Sequence, residues 1–177
     1  MAGVLFYTVD PGDRIVAIDG AWDEFAARNG APGLTRESVT GKPLFDYVAG
    51  RETQEIVRLL LARARSGRGF SVSFRCDAPS RRRFLRLELT PSPDGSVRCS
   101  STLLSEEERP AQPLLDPSVP RTGEVLRVCS WCRRVQVDAR WLDVEDAVEA
   151  LGLLQEPALP AISHGICPDC SDLLKRS

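Results

Sequence analysis

Two cysteine pairs, Cys129-Ser-Trp-Cys132 and Cys167-Pro-Asp-Cys170, are the residues of this 177-residue chain whose types and spacing most directly specify chemistry. A Cys-x-x-Cys turn brings two thiols to one side of the chain. Two such turns supply the four soft ligands of a tetrahedral zinc ion, with Zn–S bonds of about 2.3 Å. The paired spacing predicts a small lobe closed around one structural Zn2+. His164 stands three residues before Cys167 and is an alternative fourth ligand, giving three cysteines and one histidine. A thioredoxin-like redox role is a weaker reading, because neither pair lies between a strand and a helix of a βαβ pattern. Disulfides need an oxidising compartment, and the opening Met1-Ala-Gly-Val-Leu-Phe-Tyr-Thr-Val lacks the basic start of a secretory signal. Reduced thiols in the cytoplasm are the expectation.

Composition bounds what surrounds this site. Hydrophobic residues make up 42% and charged residues 27%, the balance of a soluble globular chain. The apolar run from Ile56 to Leu61 is broken by Arg58, well short of the ~18 residues a bilayer span requires. A net charge of −2 gives no general pull toward nucleic acid. Glu106-Glu107-Glu108 and the prolines at 110, 113, 117 and 120 lack helical or strand periodicity and read as an acidic, proline-rich linker. The chain is thereby divided into a domain over residues 1–104, a tether over 105–124 and a cysteine lobe over 125–177.

Before the tether, the pattern predicts strand, strand, helices and then three strands. Val4 to Val9 and Arg14 to Asp19 flank an Asp10-Pro-Gly-Asp13 turn and predict a hairpin. Trp22, Phe25 and Ala26 recur at helical spacing in a segment ended by Asn29-Gly30. Thr35 can cap a short turn, and Leu44 to Val48 forms a second short element. Arg51 to Arg65 is the longest helix, with Ile56, Leu59, Leu60 and Ala64 expected on its buried face. Phe70, Val72, Phe74 and Cys76 alternate with polar residues, as do Leu85, Leu87 and Leu89, and then Val97, Cys99, Ser101 and Leu103. Cys76 and Cys99 fall on apolar faces and are expected to fill core. In the lobe, Val135 to Trp141 predicts a hairpin, Val144 to Leu151 a helix, and Cys170 begins an amphipathic turn carrying Leu173 and Leu174.

The order of elements over residues 4–104, with the phrases Val9-Asp-Pro-Gly-Asp-Arg-Ile-Val16 and Gly41-Lys-Pro-Leu-Phe-Asp46, resembles a PAS sensor domain. The resemblance implies an α+β fold: a five-stranded antiparallel sheet in the order 2-1-5-4-3 with helices on one face. It also implies a domain that senses a small ligand or a partner, or that serves dimerisation. Val128-Cys-Ser-Trp-Cys-Arg-Arg-Val135 with Ser163-His-Gly-Ile-Cys-Pro-Asp-Cys170 is similar to a cysteine-rich tail on bacterial two-component signalling proteins. That likeness implies a treble-clef-like zinc lobe presented to a signalling partner.

No catalytic constellation accompanies these features, and the expectation is a protein that is not an enzyme. His164 is the single histidine, which removes a histidine-based triad and a histidine-ligated haem. Neither a phosphate-cradling glycine motif nor the Asn-Cys-Arg-Phe phrase of flavin-binding PAS domains is present. The large residues of the first domain can fill its interior, so a colourless protein is expected, without haem or flavin and with at most a small apolar ligand. Arg81-Arg82-Arg83 is the one basic cluster, read as a solvated hairpin loop or an anion contact. A homodimer through the outer sheet face of Arg86 and Glu88 is expected. The competing functions are a transcriptional regulator touching nucleic acid through the zinc lobe and a thiol or zinc redox sensor. The six Lys/Arg against eight Asp/Glu of residues 125–177 weigh against the former.

Overall fold

The computed structural model describes residues 5–28 and 30–176; Val4 and Asn29, expected to open the first strand and close the first helix, lie outside the described residues. Asp10 turns the chain between β1 (Leu5–Val9) and β2 (Ile15–Gly20). Its carboxylate accepts from the N–H groups of Gly12 and Arg14 at 2.9 and 2.8 Å, an Asx turn that reverses the strand. With β3 (Phe70–Arg75), β4 (Arg81–Pro91) and β5 (Val97–Glu108) these strands form one antiparallel sheet in the order β2-β1-β5-β4-β3. This is the order that the PAS resemblance implies.

Helices α1 (Trp22–Arg28), α2 (Arg36–Val39) and α3 (Arg51–Arg65) pack with a 3-10 turn at Leu44–Tyr47. Thr35 caps α2, its hydroxyl accepting from the Ser38 N–H at 3.2 Å. Ile56, Leu60, Leu61 and Ala64 of α3 share one apolar cluster with Val9, Val72, Leu89, Val97 and Cys99 of the sheet. Leu59, expected inside, is 59% exposed and Leu61 takes its place. At about 100° per residue, Ile56, Leu60 and Ala64 define a stripe with Leu61 about 60° beyond one edge and Leu59 about 60° beyond the other, so helix geometry alone does not choose between them; the core lies on the Leu61 side.

The expected tether is instead built into the fold. β5 runs on through Glu108, and Arg81, Arg82 and Arg83 lie in register with Glu108, Glu107 and Glu106. Glu106 pairs with Arg81 at 2.6 Å and with Arg83 at 3.0 Å, so the basic cluster faces the acidic run rather than open solvent. A 3-10 turn at Pro113–Leu115 then buries Leu114 completely among Val128, Val135, Val144 and Leu159. An apolar side chain inside a core cannot belong to a free linker.

Residues from 121 form a second sheet of β6 (Arg121–Cys129), β7 (Val135–Val137), β8 (Arg140–Leu142) and β9 (Leu159–Gly165), ordered β8-β7-β6-β9. β7 and β8 are the expected hairpin, and α4 (Val144–Ala150) the expected helix. β9 has no counterpart in the sequence reading. It lies parallel to β6 at the sheet edge, where Pro160 is tolerated. Its buried start at Leu159 and Pro160 gives none of the alternation that marks a half-exposed strand. The chain then enters α5 (Pro168–Arg176), with Leu174 buried and Leu173 exposed.

Candidate metal centre

Each cysteine pair closes a tight turn at the end of a parallel strand. Cys129 is the last residue of β6; its N–H donates to the Arg134 carbonyl at 2.8 Å and its carbonyl accepts from the Arg133 N–H at 3.0 Å. Arg133 takes a left-handed φ of 64°, which lets the chain double back. Cys167 follows β9, and Cys170 lies in the first turn of α5, where the Ser171 N–H reaches the Cys167 carbonyl at 2.9 Å.

Because β6 and β9 run side by side in the same direction, both turns emerge at one end of the sheet. All four sulfurs lie within 4.8 Å of one another. Cys132 Sγ and Cys167 Sγ are 3.7 Å apart, far beyond a disulfide bond of about 2.05 Å. It matches the edge of about 3.8 Å that a tetrahedron with bonds of about 2.3 Å demands. The Cys167 and Cys170 N–H groups point at Cys129 Sγ and Cys167 Sγ, each at 3.4 Å. Cys129, Cys167 and Cys170 are buried and Cys132 is half-buried.

The four sulfurs are close enough to compete for protons. Cys132 and Cys170 donate to Cys129 and hold it as a thiolate, well below the ordinary range. In turn the Cys132 thiol is pushed up to about 12, chiefly by its bond to Cys129, and Cys170 is pushed up by the same neighbours. The donor set therefore fits a dication, which would stabilise the negative sulfurs in place of those protons. His164 is not part of the group. It sits on β9 opposite Val128, half-buried, with its pKa lowered by burial and then by the Arg133 charge.

The residues between Cys129 and Cys132 hold the cysteine cluster against the first domain. Trp131 Nε1 donates to the Ser73 carbonyl at 2.8 Å, the Trp131 carbonyl accepts from the Arg75 N–H at 2.8 Å, and the indole lies 5.7 Å from the Phe74 ring. β3 is an edge strand, and this turn supplies partners for its outward groups. On the other side, Thr53 of α3 donates its hydroxyl to Ser130 Oγ at 2.5 Å. Glu52 accepts from the Ile166 N–H at 3.1 Å and pairs with Arg127.

A buried ionic cluster adds a third attachment. Asp77, fully buried, faces Arg75 and, at 3.3 Å, Arg109; Arg75 reaches Asp143 at 2.7 Å, and Arg109 reaches Glu145 at 2.9 Å. Sequence reasoning assigned none of these residues a role. Arg75 alternates with the apolar residues of β3, yet it is buried, with the Trp131 carbonyl on its N–H and Asp143, the N-cap of α4, on its guanidinium.

A separate cleft of about 560 Å3 opens between α1 and the sheet. Leu5, Phe25, Leu85 and Leu103 line it with Cys76, and Arg28, Arg81, Arg83 and Glu106 stand at its polar side. The expectation of an interior filled by large residues thus holds under α3 but not under α1. Cys99, by contrast, is completely packed, and burial pushes its thiol up to about 11.

No family model matches the chain, and no curated protein matches it. Among solved structures, it is similar to the PAS domain of the RpfR quorum-sensing receptor of Cronobacter turicensis, in complex with C12:0. That match has 18% identity, covers 59% of this chain and 97% of the other, and has a TM-score of 0.44. A domain of an HTR-like protein from Haloarcula marismortui matches at 12% identity over 58% of this chain and 98% of its own, with a TM-score of 0.41. Both matches span little more than half of this chain.

Proposed function

We propose that the chain is a non-enzymatic bacterial signalling protein, cytoplasmic, in which a PAS-like domain senses a small ligand or a partner and a structural zinc lobe presents a protein-interaction surface. The observation that carries this reading is the placement of Ser130 and Trp131. They lie between two of the four sulfurs and touch α3 on one side and the edge of β3 on the other. A change in the sheet or in α3 therefore reaches the zinc turn through direct contacts. The treble-clef-like order of cysteine turn, hairpin and helix makes the lobe a rigid carrier for α5. The cleft under α1 is the candidate ligand site, where Leu5, Phe25, Leu85 and Leu103 suit the apolar part of a small molecule and Arg28, Arg81, Arg83 and Glu106 a polar end. The exposed Arg86 and Glu88 leave the outer sheet face open for pairing with a second copy.

Elemental analysis with native mass spectrometry tests the proposal, followed by hydrogen exchange with and without metal. The expected result is one zinc per colourless chain, with β3 and the first turn of α3 exchanging more slowly when zinc is bound. A metal-free protein with a 129–132 disulfide after reducing purification overturns the zinc assignment. A co-purifying haem or flavin replaces ligand sensing by cofactor-based sensing.

A further inference from the structure

Three contacts converge on the first turn of α3, and each reaches a segment that delivers a metal ligand. Glu52 touches both such segments: Arg127, two residues before Cys129, and the Ile166 N–H, one residue before Cys167. Thr53 reaches Ser130, inside the first pair. The third is the close approach of β9 at Gly50. A Cβ at Gly50 would lie 2.7 Å from His164 Cβ, and its φ of 84° is one that side chains rarely adopt. Gly165 is fitted in the same way, since a Cβ there would strike the Arg127 guanidinium on its path to Glu52.

From this convergence we infer that Glu52, a residue of the sensing domain, is a positioning residue for the metal centre, so that metal affinity and the docking of α3 are reciprocally linked. The inference rests on the four cysteines holding a metal, as proposed above. One carboxylate spans the two strand ends whose separation decides whether the sulfurs converge. Its bond to the Ile166 N–H is charge-assisted and fixes the backbone that carries Cys167. Partners hydrogen-bonded directly to metal ligands alter affinity by about 10–100-fold, and Glu52, acting one residue from Cys167 and two from Cys129, is placed at the lower end of that range. Linkage requires the converse: whatever shifts α3 changes metal affinity, and metal occupancy steadies α3 by the same free energy.

The test uses the full chain and zinc itself, titrated in competition with a chromophoric chelator. Cobalt substitution provides a spectrum that reports the ligand set. Glu52→Ala is expected to weaken zinc binding by about tenfold or more while leaving the sulfur-to-cobalt absorption unchanged in kind. Glu52→Gln, whose amide oxygen still accepts from the Ile166 N–H, is expected to recover most of that loss. Thr53→Val serves as a second probe if Glu52→Ala folds poorly, and is expected to weaken binding in the same direction. Wild-type zinc affinity in both Glu52→Ala and Thr53→Val overturns the inference while leaving the metal assignment standing. Absence of zinc binding by the wild type overturns the metal assignment instead. Equal weakening by Glu52→Ala and Glu52→Gln assigns the effect to the charge on Arg127 and overturns the role of the Ile166 bond.

Discussion

Trp131 lies between Cys129 and Cys132 of the cysteine cluster, yet its indole packs on the first domain. It is 6% exposed, stacks near Phe74 and bonds to the Ser73 carbonyl. Trp131→Ala is expected to lower stability by roughly 3–5 kcal/mol, the usual loss for a buried aromatic, as measured by denaturant unfolding with zinc present. Cys129→Ser and Cys167→Ser should lose zinc, while Cys76→Ala and Cys99→Ala retain it, as read by elemental analysis. Cys99 also predicts a pH effect. Its folded thiol keeps a proton up to about 11, above an ordinary value near 9. Between these values the folded state binds more protons than the unfolded, so this stability is complete below about pH 9 and is lost as pH rises through about 11. Cys99→Ala should flatten that alkaline decline in thermal unfolding, whatever it does to the overall level. At this scale the clustering of the four cysteines was legible, because a Cys-x-x-Cys pair is a fixed residue type at a fixed spacing. Arg75, Asp77 and Arg109 were not, since their burial and pairing depend on Asp143 and Glu145, far along the chain at the start of α4.

Among elements, the pairing of β4 with β5 shows what a strand-by-strand reading loses. Arg81-Arg82-Arg83 and Glu106-Glu107-Glu108 lie within one residue of matching distances from the hairpin turn, and a register shift at Phe84/Leu85 makes up the difference so that they pair residue for residue. Taken one at a time, the basic run reads as a loop and the acidic run as a linker. Only the complementary order of the two marks a hairpin that extends past its apolar part. Glu106→Gln removes the partner of two arginines and is expected to cost about 1 kcal/mol at low ionic strength. The loss should shrink as salt rises, because these side chains are partly solvated. A salt-independent loss in denaturant titrations would mean that packing, not charge, is what the substitution disturbs. β9 was missed for a different reason: a parallel strand that starts buried at a sheet edge carries no period-two signal. The hairpin β7–β8 and helix α4 were found because each exposes one face.

At the scale of the whole molecule, the cysteine lobe and the five-stranded sheet share a core. Cys129, Trp131, Cys167, Cys170 and Leu174 belong to the same apolar cluster as Val72 and Leu60. Leu114 anchors the intervening segment in a second cluster, and Arg109 ties it to Asp77 and Glu145. With zinc bound, limited proteolysis should therefore leave residues 105–124 intact, and chelation should make that span the first to be cut. Cleavage there at equal rates in both states would show that the segment is held without the metal. The capped edge of β3 has a consequence for synthesis. A ribosome completes the five-stranded sheet well before it delivers Trp131, and for that interval the outer edge of β3 offers unpaired N–H and carbonyl groups to any neighbouring chain. The nascent protein passes through a sticky stage that ends when the cysteine turn arrives. A fragment stopping at residue 108, which keeps β5 whole, is expected to remain in that stage and to associate with itself, as seen by light scattering.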